Sequence, residues 1–139
     1  MIRLMKKQEI LQTAELLHAM AIEVYPDTHS TDDRDYVMAI KEHIVNGDAI
    51  YIDDEFNGLF VVRKGTDYIT PDLIIYEGVR VYVKPEKRCT RLLHDFYTRM
   101  FTDFTDGDII GITDINSNHI PILEKRHERI ANVYKLKRG

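Results

Sequence analysis

Apolar and polar residues follow a helical period over the first part of the chain. Between residues 6 and 24, apolar side chains recur every three or four positions, which predicts an amphipathic helix. The members of this apolar stripe are Ile10, Ala14, Leu17, Ala21 and Val24. The helix should end at Tyr25, because the residue before a proline is disfavoured in the α region. A second helix is predicted to start after Asp32 or Asp33, either of which can act as its N-cap, and to stop at Gly47.

The middle of the chain is rich in β-branched and aromatic residues, which predicts strands. Three such runs cover residues 49–52, 59–62 and 73–83. The dipeptide Asn57-Gly58 lies between the first two runs and predicts a tight hairpin turn, since both residues tolerate a positive φ. Gly78 lies inside the third run, where a glycine often indicates a bulge or a close backbone approach.

The remaining pattern completes the order of elements. It predicts a short strand at 2–5, a helix at 90–104, a strand at 109–115, a helix at 121–129 and a last strand at 131–136. The resulting order is β-α-α-β-β-β-α-β-α-β. This order predicts an α+β domain in which helices flank a mixed sheet with a central antiparallel meander. No repeat or linker is visible, so we expect a single domain over residues 1–139.

The composition and charge of the chain argue against several classes of protein. The 139 residues carry a net charge of −4, which argues against a nucleic-acid-coating protein. No apolar run approaches the ~18 residues of a membrane span, and no secretory signal is visible, so we expect a cytoplasmic protein. The single cysteine, Cys89, excludes an internal disulfide. The six histidines show no metal-ligand spacing, so no metal is expected. An acidic cluster is explained most simply by solvated turns and helix caps: Asp48, Asp53, Asp54 and Glu55.

A basic stretch stands out within this acidic chain. Its cations are Arg80, Lys84, Lys87, Arg88 and Arg91, and Glu86 is the one acid among them. The stretch could bind the phosphates of a cofactor, a nucleic-acid backbone or an acidic face of a protein partner. The alternative is a solvated loop and helix start. Positive charge at a helix N-terminus conflicts with the helix dipole, and an anionic partner would remove that conflict.

Two segments carry recognisable patterns. Val83-Lys84-Pro85 and Arg88 follow V-x-P-x-x-R, and residues 116–125 match Asn116, Glu124 and Lys125 of an N-x-x-x-x-x-x-Y-E-K segment. These two segments and the order of elements resemble the GCN5-related N-acetyltransferase superfamily, in which the first pattern ends the fourth strand. The resemblance implies acetyl-CoA as cofactor and Glu77 as the general base. The residues it implies for cofactor binding are Val83, Arg88, Cys89, Thr90, Arg91 and Asn116. Without such a role, Glu77 would be a solvated strand residue paired with a lysine or an arginine.

Three residues depart from the family pattern at positions that would do the chemistry. Arg91 and Leu93 occupy the two glycine positions of the R-x-x-G-x-G/A loop, and Leu123 occupies the position of the tyrosine often used as general acid. These departures predict a domain with degraded acyl-CoA motifs that acts through a protein partner. The residues around Asn116 and His119 also resemble acetyltransferase-like proteins of tailed phages, which implies an assembly, virion or host-interaction role.

Two other functions remain open at this point. The first is an active acetyl-CoA-dependent N-acetyltransferase that uses a small-molecule amine as its substrate. The second is nucleic-acid binding through residues 80–91, which the acidic net charge disfavours. The oligomeric state cannot be predicted from the sequence.

Overall fold

A five-stranded sheet forms the centre of the described chain, which comprises residues 1–66, 74–88 and 90–111 of a computed structural model. Its strands are β1 (Ile2–Leu4), β2 (Ala49–Asp53), β3 (Gly58–Thr66), β4 (Ile74–Val83) and β5 (Asp108–Gly111). Their order in the sheet is their order in the chain. Strands β1 to β4 pair antiparallel, and β5 pairs parallel to β4. The predicted α+β class and mostly antiparallel mixed sheet are therefore confirmed.

Three α-helices lie in the described part of the chain: α1 (Ile10–Val24), α2 (Asp33–Val45) and α3 (Leu92–Asp103). Short 3₁₀ turns precede α1 at Lys7–Glu9 and follow β4 at Pro85–Lys87. The local signals in the sequence act as predicted. The Asp32 carboxylate accepts a hydrogen bond from the Arg34 N–H (3.0 Å), and Gly47 has a φ of +78° beyond the end of α2. The helix and strand predicted at 121–129 and 131–136 lie outside the described residues, and the single domain over 1–139 stays a prediction.

Helices cover both faces of the sheet. Side chains along a strand alternate between these faces, so one strand can contribute to both cores. Strand β3 shows this alternation. Leu59 and Val61 pack in a core with α1 and α2, whereas Phe60 and Val62 pack in a second core with α3. All four side chains are at most 2% exposed. The helices thus flank the sheet as the sequence predicts.

The predicted hairpin between β2 and β3 is confirmed, but its turn lies earlier in the chain than predicted. The chain turns before Asn57, with the Phe56 N–H donating to the Asp53 carbonyl (3.1 Å) and Phe56 at a φ of +55°. Gly58 does not occupy the turn, since it begins β3 and pairs with β4. The physical reason is a close approach, because a Cβ on Gly58 would come within 2.7 Å of the Phe96 ring. The prediction of an Asn57-Gly58 turn is therefore wrong, and the glycine serves packing instead.

Asp53 is buried and stabilises this turn, so the prediction that it is a solvated acid is also wrong. Its Oδ1 accepts hydrogen bonds from the Asn57 N–H (2.7 Å) and the Gly58 N–H (2.9 Å), and the residue is 6% exposed.

Asp53→Ala should lower the free energy of unfolding by about 2 kcal/mol, because two backbone donors lose their acceptor. Urea denaturation measures this loss. Glu55→Ala, in the same turn but exposed, should change it by less than about 0.5 kcal/mol. Equal losses in the two variants would contradict the role of Asp53.

A β-bulge interrupts β4, as Gly78 predicts. Val61 of β3 pairs with Arg80, but the next residue, Val62, pairs with Gly78. Val79 is therefore the extra residue of β4, and its side chain packs against the core under α1 and α2. The described pairing of β4 with β5 runs from Ile75 to Gly78 and thus reaches the edge of the bulge.

Candidate functional site

The end of β4 and the start of α3 bring several of the predicted site residues together. Val83 is the last residue of β4 and is buried, and Arg88 follows the 3₁₀ turn. Thr90 and Arg91 are exposed and precede α3. Two further predicted residues, Cys89 and Asn116, lie outside the described residues, as does Leu123. We call residues 84–92 the β4–α3 connection.

Arg88 is held by two hydrogen bonds that fix its guanidinium against the body of the protein. Its Nε donates to the Val83 carbonyl (2.9 Å), and its Nη2 donates to the Glu23 carboxylate at the end of α1 (2.6 Å). The guanidinium also lies 5.7 Å from the centre of the Tyr82 ring. The hydrogen bond from Arg88 holds the pKa of Glu23 below its usual value. Arg88 therefore ties the β4–α3 connection to α1.

Backbone N–H groups of the β4–α3 connection also donate hydrogen bonds to acceptors within the connection. Four N–H groups have an acceptor within it: Lys87 (Lys84 carbonyl, 2.9 Å), Arg88 (Pro85 carbonyl, 3.3 Å), Thr90 (Lys87 carbonyl, 3.3 Å) and Leu92 (Thr90 Oγ1, 3.3 Å). The Thr90 hydroxyl in turn donates to the Lys87 carbonyl (2.6 Å). Leu93 is half-buried and packs against the core under α3. The connection is thus a series of closed turns.

Glu77 lies one residue before Gly78, on the strand that carries the bulge. It is half-buried and pairs with Arg63 of β3 on one side and with Ile110 of β5 on the other. Asp48 mainly, and Glu77 to a smaller degree, raise the pKa of Arg63. Glu77 therefore faces a cation of the neighbouring strand.

A buried polar cluster beside the bulge was missed by sequence reasoning. We call His43, Asp48, Arg63 and Arg80 the Asp48 cluster. Asp48 accepts from Arg63 at both carboxylate oxygens (Nε 3.0 Å, Nη2 2.9 Å) and lies 2.7 Å from His43 Nδ1. Arg80 Nε lies 2.9 Å from His43 Nε2. The Asp48 side chain is 1% exposed, so its interpretation as a solvated turn residue is wrong.

The hydrogen bonds of the Asp48 cluster determine the tautomer of His43. Arginine has no acceptor, so His43 Nε2 must accept from Arg80, and Nδ1 carries the proton that is donated to Asp48. His43 is therefore neutral in this arrangement. The two bonds from Arg63 lower the pKa of Asp48 against the effect of burial, with a smaller contribution from His43.

The basic stretch does not form one patch. Arg80 belongs to the Asp48 cluster, on the face of the sheet covered by α1 and α2. Arg88 is paired with Glu23. Lys84, Lys87 and Arg91 remain along the β4–α3 connection. The structure thus separates cations that are close in sequence.

Solved structures of acetyltransferases match the chain over nearly its whole length. A protein described as a possible acetyltransferase from Clostridium difficile 630 aligns with a TM-score of 0.74 at 11% identity, covering 100% of this chain and 97% of its own. A ribosomal-protein-alanine N-acetyltransferase from Brucella melitensis biovar Abortus 2308 gives 0.70 at 14% identity, covering 100% and 99%. A predicted acetyltransferase from Clostridium acetobutylicum, solved with acetyl-CoA, gives 0.68 at 11% identity, covering 99% and 95%.

The chain has the fold of the GCN5-related N-acetyltransferases. The resemblance inferred from the two sequence segments is confirmed at the level of the fold. No protein-family model matches the sequence, and no curated protein matches it. The likeness to tailed-phage proteins stays a prediction.

No group of three or more histidine, cysteine, aspartate or glutamate side chains in residues 1–66, 74–88 and 90–111 is arranged to hold a metal ion. None of the helices described in the fold is long and apolar enough to span a membrane.

Proposed function

We propose that this chain is a protein of acetyltransferase fold that has lost acyl-CoA chemistry and acts by binding a protein partner. The observation that carries the proposal is the β4–α3 connection, in which four of the described backbone N–H groups and the Arg88 guanidinium already have partners within the protein. This connection is the segment that resembles the cofactor-binding loop of the family.

Binding of a diphosphate by such a loop depends on bare backbone. Glycines let phosphate oxygens approach the main chain, where free N–H groups and a helix N-terminus can hold the negative charge. Here Arg91 and Leu93 carry side chains at the two glycine positions. An incoming diphosphate would also compete with the Glu23 carboxylate for Arg88. The residues present therefore do not fit acetyl-CoA, and this supports a role other than acetyl transfer.

The resemblance of residues 116–119 to tailed-phage proteins supports one setting for this role. In that setting the chain would serve in assembly, in the virion or in contact with a host protein. We accordingly propose the host cytoplasm or the virion as its location. A cytoplasmic location without a phage partner is the alternative.

Isothermal titration with acetyl-CoA tests the loss of cofactor binding. The protein should give no saturable heat up to about 1 mM ligand, because a diphosphate would have to displace the Glu23 carboxylate from Arg88 and approach a main chain that carries side chains at both glycine positions. The Clostridium acetobutylicum protein solved with acetyl-CoA is the positive control under the same conditions. Affinity of the chain in the low micromolar range would contradict the proposal.

An active N-acetyltransferase is the second candidate, and the bulge of β4 favours it. The bulge lies directly after Glu77, so a half-buried carboxylate stands where the strand is irregular. Glu77 could take a proton from an ammonium substrate there. Release of free thiol from acetyl-CoA in the presence of a panel of amines measures this activity. Turnover that falls by about 10²-fold or more in Glu77→Gln would establish the enzyme, and no turnover with any amine would exclude it for that panel.

A further inference from the structure

Arg80 presents a positive charge that its neighbours do not neutralise. Its Nε donates to a neutral imidazole nitrogen, that of His43. Within the described residues, no carboxylate forms an ion pair with Arg80, whereas Arg63 takes both oxygens of Asp48. The Asp48 cluster contains two arginines and one aspartate, and the nearby carboxylates of Glu77 and Glu42 act on Arg63.

The cluster also holds Arg80 in one orientation. His43 accepts from Nε and is itself fixed by Asp48, whose side chain is 1% exposed. An arginine positioned through Nε keeps the N–H groups of its two terminal nitrogens available as a fork. Arg80 itself is half-buried, so the fork lies partly out of water. Charge-assisted hydrogen bonds formed there are stronger than on an open surface.

We propose that Arg80, held by His43 and Asp48, is a binding residue for a carboxylate group beside the bulge of β4. The planar guanidinium fork matches the two oxygens of a carboxylate. A phosphate dianion would be repelled more strongly than a carboxylate monoanion by Glu77, which lies on the same side of the sheet as Arg63 and Arg80.

This proposal does not depend on whether acetyl-CoA binds. The carboxylate can come from a small molecule or from the C-terminus of a polypeptide partner, since both offer the same two oxygens. The groups that face the site are Glu77 and Arg80 of β4, Arg63 of β3, Asp48 before β2, and His43 and Glu42 of α2. A cation is disfavoured because it would face the guanidinium of Arg80, which forms no ion pair within the described residues.

Nuclear magnetic resonance of the ¹⁵N-labelled full chain tests the site without coenzyme A. Sodium propionate is titrated at constant ionic strength while the Arg80 Nε–H signal is followed. We expect a saturable shift in the millimolar range and at least tenfold weaker binding in Arg80→Gln. Arg34→Gln, which changes an exposed arginine on α2, should leave the affinity within twofold. Inorganic phosphate should bind more weakly than propionate.

Two further arms make the result decisive. A short peptide with a free C-terminal carboxylate is compared with its amidated form. If only the free form binds, and more tightly than propionate, the carboxylate comes from a polypeptide; if propionate binds as well as the peptide, it comes from a small molecule. The wild-type Arg80 signal decides the question even if Arg80→Gln fails to fold. No saturable shift in the wild type, or equal affinity in a folded Arg80→Gln, overturns the proposal.

Discussion

Replacing Phe96 by alanine should lower the free energy of unfolding by about 3–5 kcal/mol. The Phe96 side chain is 1% exposed and lies in the core under α3, with its ring centre 5.9 Å from that of Phe60. Its ring also fills the space left by the absent side chain of Gly58. Truncation would leave a cavity between α3 and the sheet that the rigid strands cannot close. Urea denaturation followed by circular dichroism measures the loss.

Phe101 provides the matched control in the same helix. It is 56% exposed, so Phe101→Ala removes an aromatic ring with little change in buried apolar area. Its effect on the free energy of unfolding should stay within about 0.5 kcal/mol. A similar loss in both variants would mean that the expected cavity at Phe96 does not account for the effect.

Asp48→Asn should lower the free energy of unfolding by about 2–3 kcal/mol at neutral pH, because hydrogen bonds to a charged group are lost. The substitution keeps the shape of the side chain but removes the charge that compensates Arg63 and orients His43. It leaves the Arg63 guanidinium without its counter-charge. Asp54→Asn is the control, because Asp54 forms an exposed pair with Arg3 and should contribute no more than about 1 kcal/mol.

The stabilising effect of Asp48 should depend on pH in a defined direction. Its pKa is lowered in the folded state, mainly by hydrogen bonds from Arg63. Its contribution is therefore complete above the unfolded-state pKa of about 4 and is lost as the pH falls through the lower folded-state pKa. The difference in stability between the wild type and Asp48→Asn should shrink on acidification below about pH 4. Denaturation curves collected across this range measure it, and a constant difference would show that Asp48 does not titrate as described.

The features predicted well from the sequence are those with a local cause. Pro26 ends α1, with Tyr25 as its C-cap, because proline restricts the residue before it. Asp32 caps α2 through a bond to its own neighbour. The alternation along β3 needs only a strand with two covered faces. In each case the interaction lies within a few residues of the chain.

The features that could not be predicted have causes distant in sequence. Gly58 looks like a turn residue until Phe96 of α3 is placed against it. Asp48 looks like a solvated acid because its partners come from α2 and β3. Arg80 and Arg88 are close in the chain, but the fold directs one to His43 and the other to Glu23. Such contacts exist only once several elements have packed together.

The agreement between strand order and chain order has a consequence for how the protein folds. Strands β2, β3 and β4 are close in the chain, with four residues between β2 and β3 and seven between β3 and β4, so each pairing closes a short loop at low entropic cost. Strand β1 is separated from its partner by α1 and α2, and β5 from its partner by α3. We therefore expect the three-stranded meander to form first during refolding and the outer strands to join it later, when the helices dock. Early protection from hydrogen exchange should accordingly appear in β2–β4 and reach β1 and β5 last.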